Sequence, residues 1–288
     1  MVAPELLVGC DFSSSPTRHK PVVLALGQLQ ASRVTLTRLE RFDTLIAWAD
    51  WLAAPRPPWV GGFDLPFGLP RELVEFLNWP RDWLACIQHY TALPRADIRA
   101  AFAAFCDARP VGHKFAHRAT DGPAGSSPSM KWVNPPVAYM LHAGVPGLLA
   151  AQAHLPGLQA GRADRVALEA YPGLLARELL GAAPRSRSYK SDDPAKQTPD
   201  RLIARKDIVN ALEQGLTRLG LRLKLSPAQH DTLVADASGD SLDAVLCLMQ
   251  AAWAAQQQAQ GRSPPDGPGW GLPAFDPLEG WIVSSPTS

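Results

Sequence analysis

Apolar positions in the first forty residues fall in short runs of strand-forming residues: Leu6-Leu7-Val8-Gly9-Cys10, Val22-Val23-Leu24-Ala25-Leu26 and Val34 to Leu39. Each run is bounded by turn-rich or polar links, and links this short join antiparallel neighbours, so the pattern predicts a three-stranded meander. The period then changes. Phe42, Leu45, Ile46, Trp48, Ala49 and Leu52 recur at helical spacing after Asp43, a residue suited to a helix cap, and Pro55 ends the pattern. Trp59-Val60-Gly61-Gly62-Phe63 reads as a fourth strand stopping at Asp64-Leu65-Pro66. That places a carboxylate on the edge where open α/β sheets carry their sites.

From about residue 71 to 160, Ala, Leu and Trp at helical spacing predict a mainly helical insertion, broken by a loop from Arg109 to Pro136. Arg165-Val166-Ala167-Leu168 reads as a fifth strand ending at Glu169-Ala170-Tyr171-Pro172. A helical stretch follows, then a polar loop from Pro184 to Pro199 and two more helices. The last, Asp240 to about Gln256, sets Leu242, Val245, Leu246, Met249 and Trp253 on one face. From about residue 261 the chain is a Gly/Pro-rich tail containing the apolar Trp281-Ile282-Val283. The expected fold is a single α/β domain spanning residues 1–288, with a mixed five-stranded sheet flanked by helices.

Composition narrows the class. With 288 residues, 46% of them hydrophobic and 19% charged, the chain can bury a large core and is not a disordered tail. No apolar run approaches the ~18 residues of a membrane span, and the N-terminus lacks a secretory pattern. Cys10, Cys86, Cys106 and Cys247 form no C-x-x-C pair, so reduced thiols and a cytoplasmic location are expected. A net charge of +1 gives no global field for a polyanion, so nucleic-acid binding would need local clusters. Two are present. Arg185, Arg187, Lys190, Lys196, Arg201, Arg205 and Lys206 stand against three aspartates, and Arg109, His113, Lys114, His117 and Arg118 crowd a loop in the insertion. Lys190, Arg201, Arg205 and Arg118 are the candidate phosphate contacts; a solvated face fits either cluster as well. His113 and His117 are four apart but lack the glutamate and third ligand of a zinc helix.

Five acids sit where elements end or begin: Asp11, Asp64, Glu169, Asp240 and Asp243. Carboxylates converging on one sheet edge stay ionised together only when cations offset their repulsion. Hard oxygen ligands suit Mg²⁺ or Mn²⁺, and a pair of such ions serves phosphodiester hydrolysis. Asp11, Asp64, Glu169 and Asp243 are the candidate ligands. Plainer alternatives stand beside them: Asp11 and Asp64 also fit turn starts, Asp240 a helix cap, and Asp243 an acid placed for the helix dipole, whereas a charge such as Glu169 ending a buried strand is costly unless it is paired or exposed.

The segments Val8-Gly9-Cys10-Asp11, Gly62-Phe63-Asp64-Leu65-Pro66-Phe67-Gly68-Leu69-Pro70, Leu168-Glu169-Ala170-Tyr171-Pro172, Ser188-Tyr189-Lys190 and Asp240-Ser241-Leu242-Asp243-Ala244 occur in this order. Together with Arg118-Ala119-Thr120-Asp121-Gly122 and Ser127-Pro128, they resemble the family called domain of unknown function 429, described as predicted nucleases with a ribonuclease H-like fold. The resemblance implies a sheet whose first three strands are antiparallel and whose fourth and fifth run parallel to the first. It also implies that the helix carrying Asp243 packs beside the site. Asp11, Asp64 and Asp243 match the family's acidic positions and Glu169 its strand-five acid, implying a metal-dependent nuclease acting on DNA or RNA. Phe12 departs from the small residues usual beside the first aspartate in related phosphotransferases. An actin-like phosphotransferase or ATPase, and a binding protein that kept the fold without catalysis, are the competing expectations.

Overall fold

The computed structural model describes residues 5–181 and 187–287; Pro184 and Arg185 lie outside them. β1 (Leu6–Asp11), β2 (Val22–Gln30) and β3 (Arg33–Phe42) form the expected antiparallel meander. α1 (Leu45–Ala53) is capped by Thr44, whose hydroxyl accepts from the Ala47 N–H at 3.1 Å, so the cap lies one residue past Asp43. β4 (Trp59–Asp64) follows. The insertion comprises α2 (Arg71–Phe76), α3 (Trp83–Ala92), α4 (Arg95–Asp107), α5 (Asp121–Ala124) and α6 (Val137–Ala150). The chain continues through β5 (Ala153–His154), β6 (Arg162–Glu169), α7 (Pro172–Leu180), α8 (Pro199–Gln214), β7 (Arg222–Lys224), α9 (Pro227–Ala235) and α10 (Asp240–Ala259).

All these strands belong to one mixed sheet of order β5-β6-β4-β1-β2-β3-β7. β4 lies parallel to β1 and β6 parallel to β4, as expected. The count is corrected from five strands to seven, because β5 and β7 add two and three residues at the sheet's edges. Three helices, not two, follow the polar loop; the extra one, α9, opens on a capping box between Ser226 and Gln229. Among the described residues no helix is long and apolar enough to cross a membrane.

Alternation along the strands builds two cores. Leu7, Val60, Val166 and Leu168 face the layer of α7 to α10, whereas Val8, Cys10, Phe63 and Ala167 face α1 and the insertion. α10 is buried nearly all round rather than on one stripe, since it lies between the sheet and the outer helices. Its approach is set by glycine. A Cβ on Gly9 would lie 2.0 Å from the Ala244 carbonyl oxygen, and one on Gly62 2.5 Å from that of Cys247, so the backbone of α10 rests directly on β1 and β4.

Candidate carboxylate site

Asp11 and Asp64 end adjacent parallel strands and face each other in the register. Leu7, Gly9 and Asp11 share one side of β1, and Val60, Gly62 and Asp64 share the same side of β4: the side covered by α10. α10 brings Asp240 and Asp243 to this edge in its first turn. Asp243 is fully buried and accepts hydrogen bonds from the Tyr189 hydroxyl and the Lys190 ammonium. Asp240 accepts from the ammonium of Lys20 at 2.7 Å, and Lys20 also reaches Asp192 at 3.0 Å. Asp240 is therefore not the helix cap. Gly239 occupies the capping position, and the carboxylate of Asp236 accepts the Ser241 N–H at 2.9 Å.

Burial and crowding shape the charges. Burial first, then the neighbouring Asp243, pushes the Asp11 carboxyl well above the ordinary range. The same two causes raise Asp64 to about 7. Burial also raises Asp243, against the pull of Lys190. Burial favours the neutral amine of Lys190, yet Asp243, Tyr189 and Asp11 hold it as an ammonium well above the usual lysine range. Beside the aspartates, the thiols of Cys10 and Cys247 are pushed up by burial and by these carboxylates, which makes them poor nucleophiles.

The donor set fits a hard divalent cation: all its ligand atoms are carboxylate oxygens, and their desolvation and mutual repulsion are what such an ion relieves. Among the described residues no group of three His, Cys, Asp or Glu is already gathered to hold one. Lys190 supplies the positive charge at Asp243 instead, so entry of an ion requires that ammonium to withdraw.

Glu169 lines the same cavity as Asp11 and Asp64 and its charge adds to the upward push on Asp64, but its side chain comes from the other side of the sheet. Alternation along β6 puts it with Ala167 on the opposite side of the sheet, facing the insertion. There its two oxygens accept from Arg118 at 2.7 and 2.8 Å, and one also accepts the Phe67 N–H at 2.9 Å. Arg118 is equally committed. It is buried, pairs with Asp121 at 2.9 Å, and donates to the Glu279 carbonyl, so the expected phosphate contact is an internal ion pair. Burial opposes its charge, but Glu169 and Asp121 outweigh that and hold it protonated.

Arg205 is likewise corrected from phosphate contact to brace: it is buried and donates to the carbonyls of Tyr189 at 2.8 Å and Val234 at 2.7 Å. Arg201 lies in the first turn of α8 and lines a surface groove. His113 and His117 lie outside any helix, which removes their common face.

Asp11 and Asp64 open into a cavity of about 480 Å³ that is also lined by Lys20, Lys190, Arg118 and Glu169, with Asp243 buried behind Lys190. Phe12, Val137 and Met140 are among its apolar lining residues. Phe12 is 5% exposed and packs on Trp48 with ring centroids 5.1 Å apart, so its bulk turns into the core rather than across the opening. A slightly larger groove of about 510 Å³ lies beside β5, lined by Leu84, Gln88, Gln152 and Arg162, with no carboxylate in its walls.

Lys20, Tyr189 and Asp236 escaped sequence reasoning as site residues. Lys20 sits in an irregular link with no periodic signal, and Tyr189 was visible only inside the Ser188-Tyr189-Lys190 segment. Asp236 lies four residues before the helix it caps. No protein family, curated protein or solved structure was found to match this chain.

Proposed function

We propose that this protein is a metal-dependent phosphodiesterase acting on nucleic acid, built on a ribonuclease H-like sheet, with Asp11, Asp64 and Asp243 as ligands for Mg²⁺ or Mn²⁺. The observation that carries the proposal is the pairing of Asp11 with Asp64 at the ends of parallel strands, with Asp243 delivered to the same side by α10. When bound, such ions activate a water and stabilise the leaving oxygen of a phosphodiester. The chain's own residues do the rest. Asp240 anchors Lys20 at the cavity, and Lys190, on leaving Asp243, is placed to meet a phosphate. Val137 and Met140 offer a base an apolar surface and exclude water. Arg118 and Glu169 fix the far wall and stay outside the ligand set. The four cysteines are buried and unpaired, which suits a reducing cytoplasm.

Cleavage of labelled DNA and RNA in Mg²⁺ or Mn²⁺, each with a chelator control, tests this. Asp243→Asn is expected to lower the rate by about a hundredfold or more, the scale of losing one electrostatic catalytic group. Asp240→Asn, which keeps an oxygen for Lys20, is expected to cost less. Activity that survives chelation, or a chain that hydrolyses ATP and no oligonucleotide, would overturn the assignment.

A further inference from the structure

We infer that the substrate is a single strand of nucleic acid whose backbone leaves the carboxylate cavity along a basic groove past Arg177 and Arg187 to Arg201. The inference deepens the phosphodiesterase reading and rests on it. Three depressions adjoin. The cavity over the aspartates shares Asp64, Tyr171 and Lys190 with a second hollow of about 340 Å³. The second shares Arg187 and Ser188 with a third of about 330 Å³, which ends at Thr198, Asp200 and Arg201 at the start of α8. Among the described residues the three hollows thus follow one another from Asp64 to the start of α8.

Its walls suit a phosphate chain. Lys190, Arg177, Arg187 and Arg201 line it, against the acids Asp64 and Asp200. One terminal nitrogen of Arg201 is buried and has no hydrogen-bond partner among the described residues, so a donor at the far end is unsatisfied. Among the described residues Arg187 pairs with Asp207, at 2.8 Å on the surface, where an ion pair contributes little and exchanges readily for a phosphate. At the junction of the first two hollows stands Tyr171, with the Arg177 guanidinium 5.2 Å from its ring centre. Arg177 donates to the Tyr171 hydroxyl at 3.1 Å and to the Ala124 carbonyl, which fixes its guanidinium at the groove wall.

Depth excludes a duplex. Asp243 is fully buried and Asp11 only 8% exposed, so a scissile phosphate must descend into the cavity that Tyr171, Pro136, Val137 and Met140 help to line. Double-stranded DNA is stiff, with a persistence length of about 150 base pairs, and cannot lower one phosphate into such a recess without costly bending. A single strand bends freely and turns its bases outward.

The test is fluorescence anisotropy with a labelled dinucleotide, a single-stranded dodecanucleotide and the same dodecamer as a duplex, measured in Ca²⁺ over a range of salt. Cleavage of the same three in Mn²⁺ is followed in parallel. The single-stranded dodecamer is expected to bind at least about tenfold more tightly than either the duplex or the dinucleotide. Arg187→Ala combined with Arg201→Ala should remove that advantage and lower the salt slope by about 1.4, at about 0.7 for each contact to a single strand. Arg187→Ala alone, in an exposed ion pair, should give half that change with an unaltered melting temperature. A duplex bound as tightly as the single strand, or a slope that the paired substitutions leave unchanged, overturns the groove while Mn²⁺-dependent cleavage keeps the phosphodiesterase reading. Absence of both binding and cleavage overturns both.

Discussion

At Asp64, protonation and stability are linked in the opposite sense to a salt-bridged surface carboxylate. The folded value near 7 lies above the ordinary 3.8, so between those values the folded protein binds more protons than the unfolded chain. The stabilisation is complete below the unfolded value and is lost as pH rises through about 7. Without divalent ions the melting temperature should therefore fall across that interval, and Asp64→Asn should flatten the fall. A wild-type melting curve that rises with pH over the same interval would show that Asp64 is ionised in the fold. Asp11, Asp64 and Asp243 were legible in the sequence because an acid ending an apolar strand or opening an apolar helix is conspicuous. Glu169 was equally conspicuous and misleading. Its side of the sheet depends on the register of β6 against β4, in which Glu169 stands opposite Phe63 rather than Asp64, and the local pattern does not report register.

The element that assembles the site is α10, and its position depends on two missing side chains. A methyl group on Gly9 has nowhere to go, because its nearest neighbours are backbone atoms of Ala244 and Leu248. Gly9→Ala should therefore push the helix off β1 and carry Asp243 away from Asp11. Overpacking of this kind costs about 1–3 kcal/mol, occasionally more. Denaturant unfolding should show that loss together with weaker Mn²⁺ binding; a loss of stability with unchanged Mn²⁺ affinity would mean that α10 does not set the ligand geometry. The long strands and α10 were readable from periodicity alone. β5 and β7 were not, because two or three residues pairing at a sheet's edge show no alternation. α9 was missed although its Ser226-Pro227 start is a helix signal, because the apolar positions behind it are few.

Across the whole molecule, the tail after α10 ties the insertion to the sheet. The Val283 N–H donates to the Glu169 carbonyl at 2.8 Å, and the Ile282 N–H to the Thr120 hydroxyl at 3.1 Å. The Glu279 carboxylate accepts the N–H groups of Ala119 at 2.8 Å and Arg71 at 3.0 Å. Leu278, Trp281, Ile282 and Val283 are buried, and each apolar side chain of this size contributes about 1.5–3 kcal/mol by leaving water. A chain ending before Leu278 should lose most of its cooperative thermal transition; an unchanged melting temperature would make the tail a passive wrapping. The Gly/Pro-rich composition correctly suggested irregular backbone, but it concealed how firmly that backbone is held.

The burial of α10 also decides how ligand binding would be seen from a distance. Amides in the middle of a helix enclosed on all sides exchange with solvent only when the entire molecule opens, whereas those of exposed helices such as α4 exchange through local fraying. Asp243 stands at the head of that enclosed segment. An ion held there by the folded state alone lowers the population of the globally open form by its full binding factor. Deuterium uptake along the enclosed middle of α10 would then slow by the same factor as at the site itself, although the ion touches none of those residues.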